Sequence, residues 1–131
     1  MKPYYQDTQI TIYHGLCEKV LPQLAPVDLL LTDPPYGIAA GNNGNRGGRQ
    51  DGTAWAASTT YTSFDDANPA STDLVVACRD QAQWAIVWGG NYFALSPSCC
   101  WLVWDKETGT NGYADCELAW TNLPGAVRLF R

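Results

Sequence analysis

Asp33, Pro34, Pro35 and Tyr36 follow the apolar run Leu29–Leu30–Leu31–Thr32, and they put hydrogen-bond acceptors and a flat ring on backbone with little freedom left. Each proline fixes its own φ and disfavours helix in the residue before it, so Asp33 and Pro34 are held extended before any ligand arrives. Proline has no N–H, which leaves the carbonyls of Asp33 and Pro34 to accept hydrogen bonds beside the Asp33 carboxylate. Tyr36 contributes a π-face. A nucleobase with an exocyclic amine carries the donors and the flat surface that match this arrangement. The same four residues also suit an ordinary exit from a sheet, because Asp and Pro are common turn formers.

The elements that position this corner can be read around it. Val27 to Thr32 is nearly continuously apolar, which predicts a buried parallel strand covered on both faces. The corner then lies at the carboxyl end of a strand, where open α/β sheets hold their ligands. Before it, Ile10 to Tyr13 alternates as a short strand. Cys17 to Leu24 puts Cys17, Val20, Leu21 and Leu24 on one helical face and stops before Pro26. Residues 37–63, containing GNNGNRGGRQDG, have no sustained apolar period and read as a long mobile loop, either a lid or an insertion, with Tyr61 and Phe64 anchoring its return. No Lys-Ser or Lys-Thr pair follows its glycines, so it is not a phosphate-cradling loop.

Further on, Asn68 or Ser71 caps a helix reaching about Gln83, with Leu74, Val75, Cys78 and Ala82 as its apolar stripe. Trp84 to Trp88 is the next strand, broken by Gly89 and Gly90, and Asn91 to Leu95 a short helix. Cys99 to Trp104 forms another strand, whose Trp104, Asp105 and Lys106 border the same crevice; Ala126 to Phe130 is the last. Alternating strands and helices give an α/β fold with a mostly parallel sheet.

An apolar strand ending in Asp33, Pro34, Pro35, Tyr36 resembles the catalytic motif of S-adenosylmethionine-dependent amino-group DNA methyltransferases. Ile10 to Leu24 resembles the strand and helix preceding that motif in the family's beta group. Trp88 to Phe93 (WGGNYF), Cys99 to Lys106 (CCWLVWDK) and Tyr113 to Thr121 (YADCELAWT) resemble the blocks that follow. The resemblance implies an incomplete Rossmann-like methyltransferase fold and direct methyl transfer to N6 of an adenine flipped out of double-stranded DNA. Asp33 and the Pro34 carbonyl would accept the two amine protons, Tyr36 would stack on the base, and Pro35 would hold the register. Gly15, Leu16 and Cys17 fall in the block that contacts the cofactor, together with Asp33. Asp33 as first residue points to adenine rather than N4 of cytosine by family habit; a glutamine amide is a third acceptor.

Two departures qualify that implication. Leu16 stands where the family carries an acidic residue after the glycine. No Phe-x-Gly-x-Gly cofactor loop occurs in the chain. The sequence therefore reads as the N-terminal part of a methyltransferase domain spanning 1–131, without its recognition region, to be completed by a C-terminal half or a homodimer partner. A noncatalytic remnant that binds DNA or a partner chain is the rival from another class, and pairing with a restriction enzyme is left open.

Composition sets the outer bounds. With 131 residues, 46% of them hydrophobic and 12% aromatic, the chain can bury a core and is not disordered as a whole. A net charge of −5 is opposite in sign to what phosphate neutralisation requires. Arg46 and Arg49 are the cations of the loop beside the corner, as DNA contacts or as a solubilising surface. Five cysteines, an odd number without CxxC spacing, and one histidine predict reduced, mostly buried thiols and no zinc site. No apolar run approaches membrane-spanning length and no signal peptide opens the chain, which predicts a cytoplasmic protein.

Overall fold

A computed structural model describes residues 1–37, 68–107 and 114–131. The chain begins with a small antiparallel hairpin of β1 (Tyr5–Gln6) and β2 (Thr11–Ile12), closed by Asp7, whose carboxylate accepts from the amides of Gln9 and Ile10. The helix expected over Cys17–Leu24 is divided. α1 covers Cys17–Val20, and a 3-10 turn continues from Leu21 to Gln23. Pro22 explains the division, since it has no N–H to extend the α-helical ladder.

A five-stranded sheet follows, built from β3 (Val27–Thr32), β4 (Ala82–Trp88), β5 (Trp101–Asp105), β6 (Cys116–Thr121) and β7 (Arg128–Phe130), in the order β3-β4-β6-β5-β7. β3 pairs parallel with β4, and β5 parallel with β7. β6 runs against both of its neighbours, β4 and β5. The fold is α/β as expected, but the sheet is mixed, with two parallel and two antiparallel pairings in place of a mostly parallel ladder. Asn122 secures the β4–β6 register just past the last pair: its side chain accepts from the Ala85 amide at 2.7 Å and donates to the Gln83 carbonyl at 3.0 Å.

α2 (Thr72–Asp80) crosses from β3 to β4. Ser71 caps it by accepting from the Leu74 amide at 3.1 Å, satisfying one of the free donors of the first turn. The helix ends before the predicted Gln83, because Ala82 and Gln83 already belong to β4. It covers one face of the sheet. Val75, Ala85, Val87, Phe93 and Trp120 form the buried cluster there, with Leu30, Tyr36 and Trp101 packed around it. Gly90 lets the 3-10 turn Gly90–Tyr92 lie on β6, since a Cβ there would collide with Trp120.

On the opposite face the described residues leave β3 uncovered, although Ala119 and Thr121 at the centre of that face are 0% exposed, and this corrects the expectation that β3 is buried on both sides. Pairing registers place Val27, Leu29 and Leu31 on the same side as Trp84, Trp104 and Phe130. Leu29 is 50% exposed and Leu31 64%. β3 is an edge strand, so an apolar run that would suit two covering layers receives only one. Phe130 on this face is exposed as well, as are Leu129 on the other face of the same strand and Val127 just before it. Among the described tryptophans only Trp120 is buried, and among the cysteines only Cys100, so both residue types sit further out than their composition suggests. Among the described residues no helix is long and apolar enough to cross a membrane.

Candidate functional site

Asp33 to Tyr36 leave the carboxyl end of β3 beside the carboxyl end of β4. The Pro35 carbonyl accepts from the Ala70 amide at 2.9 Å, which ties the corner to the approach of α2. The Pro34 carbonyl accepts no hydrogen bond from a described residue. Asp33 is exposed, and its Oδ1 accepts from the Tyr36 hydroxyl. Among the described residues, Oδ2 has no such donor.

Tyr36 is half-buried and lies against two features of the β4 terminus. Gly89, at φ 63°, passes so close to the ring that a Cβ there would overlap it. Only glycine combines the left-handed backbone with that approach. On the ring itself stacks Tyr92, with centroids 5.0 Å apart and planes 16° from parallel. Sequence reasoning misses Tyr92, although WGGNYF contains both it and Gly89; its distance from Tyr36 in the chain hides the pairing.

Charge reaches this corner from across the sheet. Burial and the Glu117 carboxylate push the Asp33 carboxyl above its ordinary value. Because β6 is reversed, its first residues, Cys116 and Glu117, lie at the same sheet end as the last residues of β3, β4 and β5. Lys106 holds Glu117 at 2.5 Å and sits 5.9 Å from the Trp104 ring, and Arg131 reaches Asp105 at 3.2 Å. Trp104, Asp105 and Lys106 thus share the end of the sheet that Asp33 occupies. Glu117 also escapes sequence reasoning, because nothing in the local period around it reveals a reversed strand.

The other candidates are not joined to this group. Gly15, Leu16 and Cys17 are exposed, and Cys17 meets Cys78 in the last turn of α2, just before β4 begins, while Asp33 follows the far end of β3. Cys17 and the Asp33 corner thus lie toward opposite ends of α2. Arg46 and Arg49 lie outside the described residues, as does nearly all of the 37–63 segment. Among the described residues no cluster of His, Cys, Asp or Glu suits a metal ion. No family profile, no curated protein and no solved structure matches the chain.

What the corner can do chemically is accept. A carboxylate whose proton affinity has been raised accepts more strongly than an ordinary one, and it stands beside a carbonyl and an aromatic face.

Proposed function

We propose that this chain is the amine-binding part of a DNA methyltransferase acting on N6 of adenine. The observation that carries the reading is the group formed by Asp33, Tyr36 and Tyr92 at the carboxyl end of the sheet, with Tyr92 stacked where a purine would stack. Tyr92 is 55% exposed, so it can leave the Tyr36 ring without opening the core. A flipped adenine takes its place. Base–aromatic stacking is worth about 1–3 kcal/mol, comparable with the few kcal/mol lost on leaving the duplex.

In this reading Asp33 Oδ2 and the Pro34 carbonyl accept the two amine protons, which draws the nitrogen toward a tetrahedral shape and exposes its lone pair. S-adenosylmethionine, when bound, supplies the methyl carbon. Because Cys17 lies against Cys78, toward the other end of α2 from Asp33, the cofactor is held in this reading by a completing half, and the exposed apolar side of edge strand β3 is the surface that half meets. The net charge of −5 likewise leaves phosphate contacts to the other part.

The test is transfer of labelled methyl from S-adenosylmethionine to adenine-containing duplexes, with the chain alone and with a downstream half supplied. Transfer is expected in the completed form, and its loss in Asp33→Ala. A noncatalytic domain that keeps the base pocket is the second reading, favoured by the separation of Cys17 from Asp33. DNA binding without transfer in both conditions selects it.

A further inference from the structure

Residues 1–26 rest lightly on the rest of the protein. None of them is buried, and their hydrogen bonds to described residues stay within the segment: β1 to β2, Met1 to Gln23, Gln23 to Lys19. One polar contact leaves it. Cys17 Sγ lies 3.6 Å from Cys78 Sγ, bringing together two thiols 61 positions apart in the chain. Cys17 is exposed at the start of α1; Cys78 is half-buried in the last turn of α2.

We propose that Cys17 and Cys78 are a redox modification site, forming a reversible disulfide that clamps the N-terminal segment onto α2. The sulfurs need to approach by only about 1.5 Å to reach bonding distance. Other cysteines are less well placed for this reaction. Cys99 and Cys100 are adjacent in sequence, and Cys100 is buried, with its carbonyl engaged by Thr121.

The oxidant is a small-molecule disulfide of the oxidised-glutathione class. Cys17, the accessible thiol, attacks it as the thiolate, forming a mixed disulfide and releasing one small thiol. Cys78 then attacks the Cys17 sulfur, the Cys17–Cys78 bond forms, and the second small thiol departs. Two electrons pass from the protein sulfurs to the small disulfide, and the two protein thiol protons end on its two released thiols. Burial, the hydrogen bond with Cys17 and the charges of Cys17 and Glu18 push the Cys78 thiol up to about 11. The exposure of Cys17 and the half-burial of Cys78 give Cys17 the first attack and Cys78 the second, resolving step.

The experiment is incubation of the full chain with oxidised glutathione, followed by non-reducing peptide mapping, thiol counting and thermal melting. The expected result is a single linkage joining the peptides containing Cys17 and Cys78, with two of the five thiols lost and the intact mass lower by two hydrogens. A rise in Tm of about 5–10 °C, reversed by dithiothreitol, accompanies it. Cys17→Ser and Cys78→Ser each abolish the linkage, and Cys99→Ser retains it. Glutathione retained on Cys17 with Cys78 still titrating as a free thiol overturns the proposal. So does a linkage between two copies of the chain. The mapping is made on the unaltered protein, so its outcome does not depend on any variant folding.

Discussion

The two faces of the sheet are made from the same alternating apolar strands, yet they meet different fates. On the α2 side, Val87 is 0% exposed and Trp120 2%, and the Trp120 indole donates to the Ser96 carbonyl at 2.7 Å. On the other side, Leu29, Leu31 and Trp104 are exposed, with no covering layer among the described residues. Hydrophobic pattern determines that a strand can be buried; only tertiary cover determines whether it is. The candidate site straddles this divide. Tyr36 packs with the covered cluster, whereas the charge of Glu117 reaches Asp33 from the open side.

The contrast is sharpest in truncation. Trp120→Ala should cost about 3–5 kcal/mol, because it leaves a cavity and an unpaired Ser96 carbonyl, while Leu31→Ala should cost less than about 1 kcal/mol. Denaturant midpoints measure both, and equal losses would show that the open face is covered in solution.

A smaller effect belongs to the junction between the faces. Gly89→Ala should cost about 1–3 kcal/mol, because the new methyl enters the Tyr36 ring and the backbone stands at φ 63°. Near-ultraviolet circular dichroism should lose the signal of the Tyr36–Tyr92 stack in that variant. An unchanged spectrum would mean that Gly89 does not set the ring.

Smaller again is the effect at Asp33. Its carboxyl is raised above the ordinary 3.8. Between that value and its folded value, the folded chain holds more proton than the unfolded one, so stability falls as pH rises through this window. Asp33→Asn removes this pH dependence. The variant should melt slightly above its parent at neutral pH and show no advantage at a pH below both values. A variant destabilised at neutral pH would indicate that the carboxylate supports the fold.

The smallest expected effect separates the two causes of that shift. Burial is the larger and Glu117 the lesser, so Glu117→Gln should return the Asp33 titration, followed by carboxyl NMR, only a minor part of the way to its ordinary value. Complete return would place the cause on the open face alone.

Much of this arrangement is legible in the residues alone. The bounds of β3 follow from its apolar run, and the Ser71 cap and the stripe through Val75 follow from helical spacing. The corner at Asp33 follows from two prolines after a strand. The reversed direction of β6 and its insertion between β4 and β5 are not legible, because strand order is decided by long-range pairing that no local period records. Tyr92 escapes for the same reason: its role depends on two strand ends lying side by side. The exposure of Leu29 and Leu31 escapes because an apolar run looks the same whether or not a second layer covers it. Arg46 and Arg49 lie outside the described residues.

The central claim is that the corner recognises an exocyclic amine against Tyr36, and an NMR titration of the chain with adenosine and with purine riboside, which lacks the amine, tests it most directly. Adenosine is predicted to shift the Tyr36, Tyr92 and Asp33 signals, and purine riboside to bind several-fold more weakly. Equal binding of the two nucleosides, or shifts confined to residues away from this corner, would contradict it.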